Sequence, residues 1–125
     1  MEQEDYLETI YKLADQSGLV RISDVAKILK LSKPSVTQMM QRLQKENCVI
    51  YKPYFPLQLT QKGKKIGKKV AERHKVLAEF FTLLDIPKNI QEKDIHGIEH
   101  CLSPITLEGL KKATKFLKAK KIKFK

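Results

Sequence analysis

The sequence predicts a mostly α-helical fold with one short β-hairpin, the wing, after the third helix. Three observations support this prediction. Apolar residues recur at helical spacing from residue 3 to residue 46, with breaks at two short polar turns. A double-proline turn, Pro53–Pro56, separates two β-prone stretches, and helical spacing returns from residue 60 to residue 119. We therefore predict a winged helix-turn-helix domain over residues 1–62 and an all-helical domain over residues 63–125.

The first two helices are short and have clear end signals. Residues 3–16 are predicted as the first helix, and Ser17-Gly18 ends it before an extended piece at residues 19–22. Ser23 is predicted as the N-cap of the second helix, over residues 24–30. The apolar positions are Tyr6, Leu7, Ile10, Tyr11, Leu13 and Ala14 in the first helix, and Val25, Ile28 and Leu29 in the second.

The third helix and the wing follow directly. Ser32 is a good N-cap and Pro34 is tolerated in a first turn, so a helix is predicted from there to about Glu46. The hairpin strands are predicted within Cys48–Lys52 and Leu57–Leu59. The buried positions of the third helix are predicted to be Val36, either Met39 or Met40, and Leu43.

Three further helices are predicted in the rest of the chain. A long one begins after its N-cap Thr60 and ends near Leu84, and a shorter one covers residues 88–102. The last covers about residues 106–119. The predicted buried positions are Ile66, Val70, Leu77, Phe80, Phe81 and Leu84 in the long helix, and Leu107, Leu110, Ala113, Phe116 and Leu117 in the last.

The composition is that of a soluble globular protein with an affinity for polyanions. The 125 residues are 42% hydrophobic and 31% charged, and the net charge is +11, with basic stretches at residues 62–73 and 111–125. No apolar run approaches the roughly 20 residues that span a bilayer, and the acidic start is unlike a secretion signal. We therefore expect a cytoplasmic protein with no membrane partner, in which Cys48 and Cys101 are free thiols.

The third helix presents a polar outer face that suits double-stranded DNA. An α-helix fits the major groove, where hydroxyl and amide groups read base edges and cationic groups hold phosphates. We expect Ser35, Thr37 and Gln38 to contact bases, and Lys33 and Arg42 to contact the backbone. The outward positions are Lys33, Ser35, Thr37, Gln38, Gln41 and Arg42. The tip of the wing is aromatic rather than basic, and its role is left open.

Carboxylates and imidazoles are grouped on three of the predicted helices. The two acids of the first helix lie three residues apart, so both side chains leave from one face. Three donors on the helix over residues 88–102 share a face in the same way, and the long helix contributes one histidine. The six candidate metal ligands are Asp5, Glu8, His74, His96, Glu99 and His100. Such a set suits Mn(II), Fe(II), Co(II) or Zn(II) if the six side chains come together in the fold. Spacing alone leaves a structural role open.

Six blocks of sequence, taken together, carry a specific resemblance to a known family. They are Glu4–Tyr11, Ile22–Ala26, Pro34–Thr37, Leu59–Gly67, Arg73-His74 and Gly97–Ser103. In order and spacing, they resemble the manganese-sensing branch of the diphtheria-toxin-repressor family across nearly the whole chain. The resemblance implies a metal-dependent repressor of metal-uptake genes that binds a palindromic operator as a homodimer. It also implies the shorter type of chain, without the extra β-domain of the larger iron-sensing relatives.

The same resemblance implies that the six candidate donors bind the metal, with manganese as the first expectation. One position departs from the pattern: the manganese regulators have a Glu and the iron-sensing relatives a Cys where this chain has His96. Losing a carboxylate that bridges two ions is expected to weaken a paired site. More imidazole is expected to let iron, cobalt or zinc compete.

Other functions are weighed against this one. The stretch His96-Gly97-Ile98-Glu99-His100 matches the H-x-x-E-H pattern of inverted zinc metalloproteases, but only 25 residues follow it. We therefore expect no enzymatic activity and no small-molecule substrate. A winged-helix DNA binder without metal control, or a module that uses its basic surface on membranes, are the remaining alternatives.

Overall fold

The computed structural model describes residues 3–121 and confirms the mostly helical class. Within that range the chain forms six α-helices and one two-stranded antiparallel sheet. The elements are α1 (Gln3–Ser17), α2 (Ile22–Leu29), α3 (Lys33–Lys45), β1 (Val49–Ile50), β2 (Gln58–Leu59), α4 (Gln61–Leu83), α5 (Lys88–Ile98) and α6 (Pro104–Ala119). No helix in the described range combines the length and the apolar character that a membrane span requires.

The chain divides into two compact units inside α4, between Ala71 and Glu72. The domains predicted at residues 1–62 and 63–125 stay a prediction, because a division within a continuous helix does not mark where a domain ends. The basic stretch predicted at the end of the chain is described as far as Lys121, and its remaining residues lie outside the described range.

In the first unit, helices α1, α2 and α3 enclose one apolar core. Met40 rather than Met39 is the fully buried methionine of α3. The prediction that Ile28 is buried is wrong, because it is 52% exposed and Ala26 lies in the core beside Val25 instead. The buried members of this core are Tyr6, Leu7, Ile10, Val20, Val25, Ala26, Val36, Met40, Leu43, Cys48, Val49 and Leu57.

The starts of α2 and α3 show one wrong prediction and one confirmed one. The Asp24 carboxylate accepts a hydrogen bond from the Arg21 backbone N–H at 3.0 Å, so α2 begins at Ile22 and Ser23 lies inside it rather than at its N-cap. A carboxylate is the stronger acceptor for an N–H at a helix start. At α3 the prediction is confirmed, since the Ser32 hydroxyl accepts from the Ser35 N–H at 3.2 Å.

The wing is shorter than its β-prone stretches suggest. Val49 pairs with Leu59 and Ile50 with Gln58, and the ladder stops there. The next N–H, that of Tyr51, donates to the Gln44 side-chain oxygen at 2.6 Å instead of crossing the hairpin. On the other edge, the Leu57 N–H donates to the Val20 carbonyl at 2.7 Å and so ties the wing to the segment before α2.

A close backbone approach holds the start of α4 against the end of α3. The Thr60 hydroxyl donates to the Asn47 carbonyl at 2.6 Å and accepts from the Gly63 N–H at 3.1 Å, which confirms Thr60 as the N-cap. A Cβ on Gly63 would overlap the carbonyl oxygen of Cys48. Only glycine fits there without a backbone shift.

The second unit consists of the C-terminal part of α4 together with α5 and α6. Leu77 and Ile95 are almost fully buried. The Gln91 amide donates to the Ile86 carbonyl at 2.7 Å and to the Thr82 hydroxyl at 3.2 Å, which holds the turn between α4 and α5. Buried amide donors of this kind are normally satisfied, and here one acceptor lies in α4 and the other in the turn that follows it.

Several predictions for the second unit are wrong in detail. Helix α5 ends at Ile98, not at residue 102, and α6 begins at Pro104, where the Ser103 hydroxyl accepts from the Thr106 N–H at 3.2 Å. Ala113 and Phe116 are exposed, although both were predicted to be buried. Phe80, Phe81 and Leu84 are only half-buried. Three helices in a single chain offer too little surface to cover every apolar position.

The close approach at Gly63 predicts the effect of adding one methyl group. Gly63→Ala is expected to lower the free energy of unfolding by roughly 1–3 kcal/mol through overpacking against backbone. The matched control is Gly109→Ala in α6, where a Cβ meets nothing within 4 Å. There the better helix propensity of alanine is expected to raise the free energy of unfolding by up to about 1 kcal/mol. Thermal unfolding at one protein concentration measures both, and equal effects would contradict the close approach.

Candidate metal centre and nucleic-acid interface

A buried carboxylate stands at the centre of the second unit's polar cluster. The Glu99 side chain is 1% exposed, and its Oε2 lies 3.3 Å from Nδ1 of His74 on α4. Its other oxygen, Oε1, lies 3.5 Å from Nε2 of His100. An ionised carboxylate in such a position is costly unless cationic or hydrogen-bonding groups surround it. The two imidazoles supply those neighbours.

The end of α5 positions this cluster. The Glu99 N–H still donates to the Ile95 carbonyl at 2.8 Å, so the backbone keeps a helical course for one residue beyond Ile98. The chain then turns tightly, with the Cys101 N–H donating to the Ile98 carbonyl at 3.0 Å. The shared helical face predicted for the three donors is therefore right for Glu99, whereas His100 lies in the turn that follows the helix.

His96 belongs to the same unit and lies beside the cluster. One of its ring nitrogens lies within 4.8 Å of a Glu99 carboxylate oxygen. Its ring is 6.3 Å from the His100 ring, in an edge-to-face arrangement. The second unit thus brings together the candidate ligand of α4 and the three at the end of α5. They are His74, His96, Glu99 and His100.

The chemistry and spacing of these donors fit a divalent metal ion. Two ligand atoms that each bind one ion at about 2.1 Å lie roughly 3.0–3.4 Å apart in octahedral or tetrahedral sites. The separations of Glu99 from the His74 and His100 nitrogens, 3.3 and 3.5 Å, are close to that range. Imidazole with carboxylate is the donor set of Mn, Fe, Co and Zn sites.

The two candidate metal ligands of α1 lie on one face of that helix. Asp5 and Glu8 are both buried, 5% and 8% exposed, one helical turn apart. Lys12, one turn further on, lies with its Nζ 2.8 Å from Glu8 Oε2. Burial raises the pKa of the neighbouring Tyr6 phenol, and the Asp5 carboxylate raises it further. Two buried carboxylates one helical turn apart concentrate negative charge that a cation would stabilise.

The face of α3 predicted to bind DNA is open to solvent. Five of its six outward side chains are exposed and Thr37 is half-buried; they are Lys33, Ser35, Thr37, Gln38, Gln41 and Arg42. The core side of α3 holds Val36, Met40 and Leu43, so the polar face points away from the core. Ser35 also accepts a hydrogen bond from the Ser32 hydroxyl at 2.9 Å, which engages part of its hydrogen-bonding capacity locally.

A surface cleft at the N-terminal end of α3 was missed by the sequence analysis. It has a volume of about 400 Å³, and we call it the wing cleft. Its lining residues come from the segment before α2, the starts of α2 and α3, and the tip of the wing: Arg21, Ile22, Ser23, Lys33, Tyr51, Tyr54 and Phe55. No spacing rule connects residues this far apart in sequence, so only the aromatic wing tip offered a signal.

The two thiols differ in environment. Cys48 is buried, and burial raises the pKa of its thiol despite the opposing charge of Lys62. Cys101 is exposed in the turn after α5. Both thiols are free.

Comparison with known proteins decides the family. The model described as "Iron dependent repressor, N-terminal DNA binding domain" matches residues 1–57, and "Iron dependent repressor, metal binding and dimerisation domain" matches residues 60–121. The HTH-type transcriptional regulator MntR of Bacillus subtilis (strain 168) is 44% identical over 100 residues, 80% of this chain and 70% of that protein. The MntR of Bacillus velezensis gives the same values. The chain belongs to the diphtheria-toxin-repressor family, in its manganese-regulator branch.

Three solved structures share the fold. The manganese regulator SloR matches with a TM-score of 0.77 and 25% identity, covering 92% of this chain. The metal-dependent transcriptional regulator MtsR matches with 0.81 and 22% over the same share, and T. acidophilum IdeR with 0.77 and 18% over 98%. The chain spans about half the length of these structures, namely 54%, 54% and 55%.

Family membership also bears on the competing interpretations of the sequence. The DNA-binding model of the diphtheria-toxin-repressor family covers α1, α2, α3 and the first strand of the wing, and the second model covers α4, α5 and α6. The curated relatives are transcriptional regulators rather than enzymes. They give no support to a zinc hydrolase built on the H-x-x-E-H pattern, nor to a regulator without metal control.

Proposed function

We propose that this protein is a metal-dependent DNA-binding regulator that represses genes for the uptake of manganese or another divalent metal. The observation that carries the proposal is the buried Glu99 carboxylate between two imidazoles, in a chain 44% identical to MntR over 100 residues. A stability role alone does not explain this arrangement, since apolar residues of similar size fill a core at lower cost.

We propose that six side chains of this chain bind the metal. The proposed ligands are Asp5, Glu8, His74, His96, Glu99 and His100. The support is twofold: four of them lie together in the second unit, and the matching family model is described as metal binding. A bound cation would offset the charge that the two buried α1 carboxylates share.

Manganese is the proposed physiological metal, with weaker selectivity than in relatives that have a carboxylate at position 96. Two neighbouring dications repel each other, and anionic bridging ligands offset that repulsion. His96 is neutral when it coordinates and offers a single nitrogen. We therefore propose that the site holds its second ion weakly or not at all, and that Fe(II), Co(II) or Zn(II) compete with Mn(II).

The proposed DNA-binding form is a homodimer on a palindromic operator. The support is the dimerisation description of the matching model and two large exposed apolar side chains of α6, Ile105 at 86% and Phe116 at 57%. Apolar side chains this exposed are stabilised when a second copy covers them. In a dimer, two α3 helices reach half-sites about one helical turn apart, or a multiple of it.

Metal would act by raising the fraction of dimers whose two α3 helices match the half-site spacing. The apparent affinity for DNA scales with that fraction. Reciprocity then requires operator DNA to tighten metal binding by the same factor. On the DNA-binding face, we propose that Ser35, Thr37 and Gln38 read bases, while Lys33 and Arg42 hold phosphates.

Removing the central carboxylate tests metal dependence. The operator is first selected from random duplexes by the parent protein in Mn(II), and binding is followed by fluorescence anisotropy with Mn(II) and with chelator. Chelator is expected to weaken the parent about 5- to 150-fold, the usual range of allosteric coupling. Glu99→Ala should lose this difference and keep only weak, salt-sensitive binding. Glu92→Ala, which removes an exposed acid of α5, is the control and should behave as the parent. Metal-independent binding by the parent would refute the proposal.

Restoring a carboxylate at position 96 tests the selectivity argument. His96→Glu is expected to raise the number of Mn(II) ions held per chain and to lower the affinity for Zn(II) relative to Mn(II). Calorimetric titration with each metal, and elemental analysis after gel filtration, measure both. If the parent already holds two Mn(II) ions tightly per chain, the argument from His96 is wrong.

The DNA-binding face is tested by comparing one proposed base contact with one proposed phosphate contact. Gln38→Ala should cost roughly 1–3 kcal/mol on the selected operator and relax specificity at one base pair. Lys33→Ala should weaken binding to all sequences alike and reduce the salt slope by about one. Gln16→Ala, an exposed amide on α1, is the control. Unchanged specificity for Gln38→Ala would remove that residue from the base contacts.

A further inference from the structure

The tip of the wing displays two aromatic side chains to solvent. Tyr54 is 100% exposed and Phe55 is 67% exposed. They follow Pro53 and precede Pro56, and neither belongs to the apolar core of the first unit. Two large apolar groups side by side on a hairpin tip are a costly surface in water, which calls for a partner.

The backbone of the tip is strained in a way that favours this display. The Phe55 N–H donates to the Lys52 carbonyl at 3.1 Å, with Pro53 second in the turn and Tyr54 third. Tyr54 has a φ of 69°, the left-handed region in which glycine is the usual residue at this place in such a turn. Tyr54 thus holds a strained backbone conformation that glycine would adopt without strain.

The surroundings of the tip indicate the partner. Tyr54 and Phe55 line the wing cleft together with Arg21 and Lys33. Lys33 opens α3, the helix proposed to enter the major groove, and Lys52 stands next to the tip. Three exposed cations therefore flank the two aromatic side chains at the N-terminal end of α3. The cations suit the phosphates of a polyanion, and the aromatic rings suit the stacked bases between them. Asp24, the nearby acid, is engaged by the Arg21 N–H.

We propose that Tyr54 and Phe55 form an aromatic wedge that contacts the minor groove of the operator, beside the half-site that α3 reads. In this arrangement Arg21 and Lys52 hold the phosphates on either side. Apolar side chains in the minor groove press against base steps and widen or kink them, so they favour deformable flanking sequences. The wing would then read the flank of the half-site by shape. This inference rests on the proposed function, since it requires DNA binding.

Tyr54→Gly separates a binding role from a structural one. The substitution relieves the left-handed backbone, so the midpoint of thermal unfolding should stay the same or rise. Affinity for the selected operator in saturating Mn(II) should fall about tenfold, and Phe55→Ala should lose about as much, because stacking of one aromatic ring on a base contributes roughly 1–3 kcal/mol. Leu19→Ala, which truncates a 61% exposed apolar side chain of the same unit outside the wing cleft, is the matched control and should bind as the parent.

Inosine substitution tests the groove. Replacing G·C by I·C in the flank removes only the amino group in the minor groove and leaves the major-groove pattern intact. The affinity of the parent should change several-fold, whereas Tyr54→Gly and Phe55→Ala should respond less. Two outcomes would overturn the wedge and leave another protein as the partner of the tip. In the first, both variants bind as tightly as Leu19→Ala; in the second, all proteins respond equally to inosine. A parent without metal-stimulated operator binding would instead refute the proposed function.

Discussion

The buried carboxyl group of Glu99 constrains the chemistry of the second unit more than any other group. A carboxylate with 1% exposure has lost its water, and the His74 and His100 rings at 3.3 and 3.5 Å replace it. An imidazole nitrogen donates to a carboxylate when it carries a proton, and it binds a metal ion when it does not. A divalent ion satisfies all three at once, because it needs a deprotonated carboxylate and neutral imidazoles. For this reason we propose that the cluster serves to bind metal and is not merely a stabilising ion pair.

The first unit meets a different requirement, which is to hold α3 rigidly with its polar face outward. Its core supplies the rigidity, and the hydrogen bonds at its edges supply the direction. Thr60 joins the start of α4 to the Asn47 carbonyl, just beyond α3, and Leu57 joins the wing to Val20. Under the proposed function, fastening α3 at its C-terminal end in this way keeps its N-terminal end free for DNA. That end is also where Lys33 and the wing cleft lie.

The sequence predicted the elements well, because apolar spacing and capping residues act locally. Ser32 and Thr60 were identified as N-caps from neighbours within a few residues, and the structure confirms both. The predictions were wrong where a distant or competing group determined the start of a helix or the end of a strand. Asp24 displaced Ser23 as the group that closes the start of α2, and Gln44 took the N–H of Tyr51 and shortened the wing. The grouping of His74 with Glu99 required tertiary structure, since 25 residues separate them. Helical spacing identified the six candidate ligands, whereas only the family resemblance implied that they bind metal.

Under the proposed function, the long helix α4 offers a physical link between metal binding and DNA binding. One continuous helix carries the glycine that seats it beside Cys48 and, further along, the His74 ring beside Glu99. A helix with intact hydrogen bonds resists bending, so a ligand that restrains His74 also restrains the orientation of the helix that carries it. The residues between Gly63 and His74 need no contact with metal or DNA for this to hold. What they must provide is helix continuity, and their composition, rich in lysine with a single buried valine at position 70, is that of a helix stable in water with one face in a core.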